Sequence, residues 1–398
     1  MKRSPSSFEE VQPLTSIDSA MKDILSKVNI LKQKVTGKPQ QPDPITSEEF
    51  DFENYYQSIQ NVLVDIINQP EIGIRQRLST RSTNKEPTII PKTILSLKDI
   101  PNISYICEFS DDVIVTGTNT GKVIFWSINY NQKGIQFQFL FEQNIHKDTI
   151  FSLCKFQNDY LISSSLDGNI SIWELKNNEL HDLYNIKINQ NYARKVLELS
   201  NNRIGCCADN CPILILDLSE AHHLTKLAEL DESKGVNTLL QLSGKEILIA
   251  SIVLTNSLSF WNLKTYSKIG TLSGVCTFHP DGMIELPNSN IAVSNYFSSY
   301  SISIVDTEKI SIVQEIKSNM NFPECSGLLL WKEEYIVYAC NGILNVISIN
   351  DYKIITANDK DNTFDGHKGM ISVINGNYLL MNNLLNGIDI VDLQIIYN

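Results

Sequence analysis

The sequence predicts an all-β fold of seven repeated units over residues 89–398, preceded by two amphipathic α-helices. Three observations predict it. Residues 163–175 read Ser-Ser-Ser-Leu-Asp-Gly-Asn-Ile-Ser-Ile-Trp-Glu-Leu: a strand, an Asp-Gly turn, and a second, strictly alternating strand closed by a Trp-acid dipeptide. Asp-Gly between alternating runs is a strong hairpin signal, because Gly168 can take the positive φ the turn needs. The pattern recurs with a nearly constant period. Finally, the apolar steps before residue 89 follow a helical rule, whereas those after it do not.

The apolar residue ahead of the acid, or its replacement, falls at Trp126, Trp173, Leu216, Trp261, Val305, Ile347 and Val391, at spacings of 47, 43, 45, 44, 42 and 44. Each is preceded by a two-residue turn: Thr120-Gly121, Asp167-Gly168, Asn210-Cys211, Thr255-Asn256, Ser299-Tyr300, Asn341-Gly342 and Asn386-Gly387. Gly or Asn stands second in five of these, and both tolerate left-handed backbone best. Alternating strands follow over 123–126, 170–173, 213–216, 258–261, 302–305, 344–347 and 388–391. Apolar runs such as 113–116, 160–163, 247–252, 291–294, 335–338 and 378–381 supply the strand ahead of the turn.

A Trp-acid dipeptide closing the third strand of a unit of about 40–45 residues resembles the WD40-repeat family. The resemblance covers roughly residues 89–398 and implies a seven-bladed WD40-like β-propeller, a binding platform rather than an enzyme. Three of the seven units carry the Trp, and the family's Gly-His opening is clear at Gly366-His367. Blade two comes nearest the full pattern. There the family's buried hydrogen-bond network would use His146, Asp167, Trp173 and a strand serine, either Ser163 or Ser165. Four groups that satisfy one another avoid the cost of unpaired polar burial, so their implied role is structural. Gly121, Gly168, Gly342, Gly387, Gly366 and His367 are the expected turn and blade-opening residues.

Asn398 comes too soon after Leu393 for a full outer strand in the last blade, and the run 93–97 is expected to fill that place. The ends of the domain would then meet in one blade, removing exposed strand edges.

Composition sets bounds on function. The chain has 42% apolar residues, ordinary for a folded protein, and no run of 18 or more apolar residues. The opening Met-Lys-Arg-Ser-Pro-Ser-Ser-Phe-Glu-Glu lacks an apolar signal core, which points to the cytoplasm, with the nucleus as the alternative. The eight cysteines form no CxxC pair, and no histidines are spaced to complete a zinc site with them. Cys206 and Cys207 would face opposite sides of a strand, which disfavours a shared site with Cys211. Of the net charge of −12, residues 1–88 carry −1 and the remainder −11. An acidic propeller repels phosphate backbones, which argues against nucleic-acid binding.

Residues 1–13 read as a disordered tail, followed by a helix over 14–38 with apolar residues at Ile17, Met21, Ile24, Val28, Leu31 and Val35. Steps of 4, 3, 4, 3 and 4 make an a/d seam of nearly three heptads, ended by Gly37 and Pro39. After a Pro-rich linker, 39–46, a second helix over 47–69 carries Phe52, Tyr56, Ile59, Leu63 and Ile66. Helices this short need a partner for the apolar stripe. They can pair within the chain, dock on the propeller, or serve as a coiled-coil device that makes homo-oligomers. Residues 70–88 form a basic, Ser/Thr-rich linker with Arg75, Arg77, Arg81 and Lys85, either solvated or suited to an acidic partner.

No P-loop, HExxH, GxSxG or dinucleotide fingerprint occurs, so neither a cofactor nor a catalytic residue is expected. The expected function is a non-enzymatic scaffold, with propeller faces that bind a protein or peptide and N-terminal helices that mediate assembly. Tyr296, Phe297 and Tyr300 cluster at a turn and are candidate partner contacts, with inter-blade packing as the competing role. The alternative is an adaptor or substrate-receptor subunit of an enzyme complex such as a ubiquitin ligase, or a structural subunit of a ciliary or trafficking assembly.

Overall fold

The computed structural model describes residues 87–397, apart from 98–101, 132–133, 158, 189–191, 221–222, 233–234, 296–299, 318–324, 341–342, 356–370, 375–377 and 384–386. The two predicted helices, with the seam from Ile17 to Val35 and the basic linker, lie outside the described residues, as do Gly342, Gly366 and His367.

The described strands form seven antiparallel sheets, the blades of a propeller. Strand β1 (Pro87–Leu97) comes first in the chain but belongs to the last blade. Blade 1 contains β2 (Ile103–Ser110), β3 (Val113–Thr118), β4 (Lys122–Asn131) and β5 (Gly134–Asn144). Blade 2 contains β6 (Ile150–Phe156), β7 (Tyr160–Ser165), β8 (Asn169–Lys176) and β9 (Glu179–Lys187). Blade 3 follows with β10 (Ala193–Leu199), β11 (Arg203–Ala208), β12 (Ile213–Glu220) and β13 (His223–Leu230). Blade 4 has β14 (Val236–Gln241), β15 (Ile247–Ile252), β16 (Ser257–Asn262) and β17 (Ser267–Ser273). Blade 5 has β18 (Met283–Glu285), β19 (Ile291–Ser294), β20 (Tyr300–Asp306) and β21 (Ser311–Lys317). Blade 6 shows three strands, β22 (Cys325–Trp331), β23 (Tyr335–Cys340) and β24 (Ile343–Ser348), with Ile354 bridging to Ile347 at the outer position. Blade 7 is β25 (Ile371–Ile374), β26 (Tyr378–Asn383) and β27 (Gly387–Tyr397), completed by β1.

All seven periodic markers, from Trp126 to Val391, lie in the third strand of a blade. In blades 1, 2 and 4 the turn ahead of the marker uses left-handed backbone, at φ +79° for Gly121, +83° for Gly168 and +44° for Asn256. A side chain on Gly121 would sit 2.2 Å from the His146 carbonyl oxygen, because the chain entering blade 2 crosses directly over the turn. In blade 3 the left-handed residue is Asn210, φ +55°, one place earlier than the spacing suggests. Pro212 explains the shift, since a residue before proline is confined to extended backbone and Cys211 cannot take the left-handed role.

Apolar residues pack between blades rather than within one sheet. Cys206 joins Ile162 and Ile172 of blade 2, while Cys207 joins Leu239 and Leu248 of blade 4. The two adjacent thiols thus serve opposite faces of the blade 3 sheet, as period two requires. Closure uses more chain than residues 93–97: β1 pairs antiparallel with β27 from Pro87↔Tyr397 to Leu97↔Ile388. Ile89 is fully buried with Val391 and Leu393, and its N–H donates to the Ile355 carbonyl at the outer edge of blade 6.

Candidate functional site

In blade 2 the structure brings together His146, Ser163, Asp167 and Trp173. The Trp173 indole N–H can only donate, and it reaches Ser163 Oγ at 3.1 Å. Ser163 Oγ lies 2.8 Å from His146 Nε2, and His146 Nδ1 lies 3.1 Å from Asp167 Oδ2. An acceptor-only carboxylate makes Nδ1 the protonated nitrogen, so Nε2 accepts the Ser163 hydroxyl proton. Burial pushes His146 below the ordinary histidine range despite the pull of Asp167, consistent with a neutral ring. The Asp167 carboxyl is also held below its usual range: burial works against this, but the Lys147 and Asn169 N–H groups and His146 outweigh it.

Ser163, His146 and Asp167 thereby share the connectivity of a serine hydrolase triad. The surroundings remove its chemistry. Ser163 is fully buried and its oxygen is already occupied by the Trp173 N–H, leaving no path for a carbonyl substrate. Ser165 stands outside this chain; its hydroxyl donates to the Asp148 carbonyl and accepts from the Asp167 N–H. Blade 1 retains one link, Trp126 Nε1 to Thr116 Oγ1 at 3.1 Å. In blade 4 Ala250 replaces the serine, and the Trp261 indole bonds Ser259 instead.

Antiparallel order places the start of each inner strand, the turn between second and third strands, and the connection between blades on one face, here the top face. On it, Arg194 forms a two-pronged pair with Asp209, Nε to Oδ1 at 3.0 Å and Nη2 to Oδ2 at 2.7 Å. The same guanidinium carbon lies 5.0, 5.2 and 5.7 Å from the ring centres of Phe151, Tyr192 and Phe278. Tyr192 and Phe278 are exposed by 45% and 44%, and Leu254, on the blade 4 turn of this face, by 72%. No sequence motif singled out this group, because its members come from blades 2, 3 and 5. Of the expected contact residues, Tyr296 and Phe297 lie outside the described residues, whereas Tyr300 begins β20 half-buried.

Below this face, the channel is crossed by an ionic cluster. Tyr105 of blade 1, Lys195 of blade 3 and Asp281, just ahead of β18 in blade 5, meet one another directly. Tyr105 Oη donates to Asp281 Oδ1 at 2.7 Å, and Lys195 Nζ donates to the same oxygen at 2.5 Å and to Tyr105 Oη at 2.8 Å. Burial alone would lower the Lys195 ammonium, but Asp281 and Tyr105 outweigh it and raise it above its ordinary value. Burial likewise opposes the Asp281 carboxylate, yet Lys195 and His279 hold it below the usual range. Burial pushes His279 down to about 4. Its Nδ1 accepts the Asp281 N–H, so a neutral ring carries its proton on Nε2.

An alternation of size over blades 1 to 6 is what lets three side chains cross the axis. Tyr105, Ser152, Lys195 and Thr238 follow the same irregularity at the start of four successive inner strands. Asp281 and Gly327 continue the sequence spacing. Large residues stand in blades 1, 3 and 5, while Ser152, Thr238 and Gly327 leave room between them. Ser152 and Thr238 instead donate to the next blade, at the carbonyls of Val196 and Pro280.

Among the described residues no group of three or more His, Cys, Asp or Glu side chains is arranged to hold a metal ion, and no helix is long and apolar enough to cross a membrane. No protein-family model and no curated protein matches the chain. The β-propeller assignment therefore stands on strand order and register.

Proposed function

We propose that this chain is a WD40-type interaction scaffold, without catalytic activity of its own, whose top face receives a protein or peptide. The observation that carries this reading is Arg194, fixed by Asp209 and ringed by Phe151, Tyr192 and Phe278. Binding hot spots are enriched in aromatic residues and arginine that are held rigid before the partner arrives. Tyr192, Phe278 and Leu254 offer apolar area that the free protein leaves in water. The acidic balance of residues 89–398 supports a protein rather than a nucleic-acid partner. The buried state of Ser163 supports a structural role for the hydrolase-like constellation of blade 2. The thiols of Cys107, Cys154, Cys206, Cys207 and Cys276, none of them in a disulfide, fit a reducing compartment, the cytoplasm or nucleus.

The N-terminal seam, Ile17 to Val35, completes the proposal as an assembly device that would raise the effective concentration of propeller faces. A quantitative affinity pull-down from the native cell, comparing the full chain with residues 89–398, separates the two roles. Partners retained by both belong to the propeller, as proposed. Loss of all partners with residues 1–88 would move recognition to the helices.

A further inference from the structure

The same ionic cluster that crosses the channel forms the floor of a cavity of about 390 Å³. The cavity runs from Tyr105, Lys195 and Asp281 along the inner strands towards Glu108 and Leu330, away from the top face. Its volume is within the range of small-molecule sites, and its composition has their usual form, apolar walls with a few converging polar groups. The walls include Leu197, Leu240, Met283 and Leu329. Leu197 and Leu240 stand two residues beyond Lys195 and Thr238, on the same side of their strands, so they form a greasy layer directly beneath the polar ring.

The floor is charged yet closed on itself. Asp281 Oδ1 accepts from both Tyr105 and Lys195, whereas no described residue donates to Oδ2. The Asp281 side chain is 32% exposed while that of Lys195 is 9% exposed. Asp281 lines the cavity, so its second oxygen is open to a donor there. Lys195 has bonds to Asp281 and Tyr105, leaving one of its three ammonium hydrogens for an acceptor.

We propose that this channel pocket binds a neutral, mostly apolar small molecule ending in a hydroxyl or carboxamide, which docks against Asp281 and Lys195. A carboxylate ligand would meet Asp281, and an amine would meet Lys195, each in surroundings that screen like charges poorly. The ion pair opposes a carboxylate through Asp281 and an amine through Lys195, while a group that both donates and accepts satisfies both partners. Glu108, the remaining charge of the lining, stands exposed at the far end, where water screens it. Solvation of the floor is exchanged for paired hydrogen bonds, and the ligand body covers the leucines. This pocket is separate from the partner face around Arg194, and neither reading depends on the other.

The test is a saturation-transfer NMR titration of the full chain at pH 7 with benzamide, benzylamine and benzoate, three probes of one shape. Benzamide should bind at least about tenfold more tightly than either charged probe, the discrimination expected of one unpaired or repelled buried group. Leu240→Trp, which fills the cavity from a half-buried wall position, should weaken benzamide binding at least tenfold with an unchanged far-ultraviolet circular dichroism spectrum. If that variant is destabilised, Leu197→Phe reports on the same space from blade 3. Absence of benzamide binding to the unmodified protein would overturn the proposal. So would equal affinity for the three probes, or benzamide binding indifferent to the folded filling variant.

Discussion

Lys195 and Asp281 stand 86 residues and two blades apart, yet the lysine ammonium lies 2.5 Å from the carboxylate, and the pair, with Tyr105, bars the channel. The contact ties three alternate blades at the axis.

A buried pair of this kind is costly to break from one side. Asp281→Leu should destabilise the protein by about 3 kcal/mol, because Lys195 keeps a charge with little access to water. The double variant Asp281→Leu/Lys195→Met should recover much of that loss. Urea unfolding of the single and double variants measures the coupling; strictly additive effects would mean that the pair does not act as a unit.

Acid should weaken the fold before its carboxylates titrate. His279 takes up a proton near pH 6.5 when unfolded but only near 4 when folded. Its contribution is therefore complete above 6.5, is lost as pH falls towards 4, and then stays constant. His146 adds to the same trend. Asp281 and Asp167, both held below 3.8, extend the loss to lower pH. Melting temperature should fall between pH 6.5 and 4, and His279→Asn, which keeps an acceptor for the Asp281 N–H, should flatten that slope. An unchanged slope in the variant would assign the acid sensitivity elsewhere.

In blade 2, Ser163→Ala strips His146 and Trp173 of a shared partner in a dry setting. The expected cost is about 2 kcal/mol. Thr116→Val in blade 1 removes the partner of Trp126 and should cost about 1 kcal/mol. Chemical denaturation of the two variants ranks them; equal losses would show that the longer chain of hydrogen bonds adds nothing.

Removing residues 89–98 should lower the melting temperature sharply, since β1 supplies the outer strand of blade 7 and buries Ile89. A deletion that melts like the parent would contradict closure by the two ends of the propeller domain.

The repeat was legible because turn and third strand are local features. Gly121, Gly168 and the residues from Trp126 to Val391 carry their signal within ten positions, so a period of about 44 emerges from pattern alone. The choice between Ser163 and Ser165 was not legible, because both share a face and the nearest backbone carbonyl decides between them. Nor was the barred channel. Tyr105, Ser152 and Lys195 each lie 21 residues before their third-strand marker, so the period locates the ring. Their meeting depends on the curvature of the whole closed propeller, which no local pattern encodes. The Arg194 cluster was hidden for the same reason, its three rings being drawn from separate blades.

The most direct test of the scaffold reading is a quantitative pull-down from the native cell with the full chain and its Tyr192→Ser/Phe278→Ser variant, after matched melting curves show that both are folded. Loss of the partners held by the parent chain, with little change in stability, is the predicted result. An unchanged set of partners at unchanged recovery would contradict the assignment of recognition to the top face around Arg194.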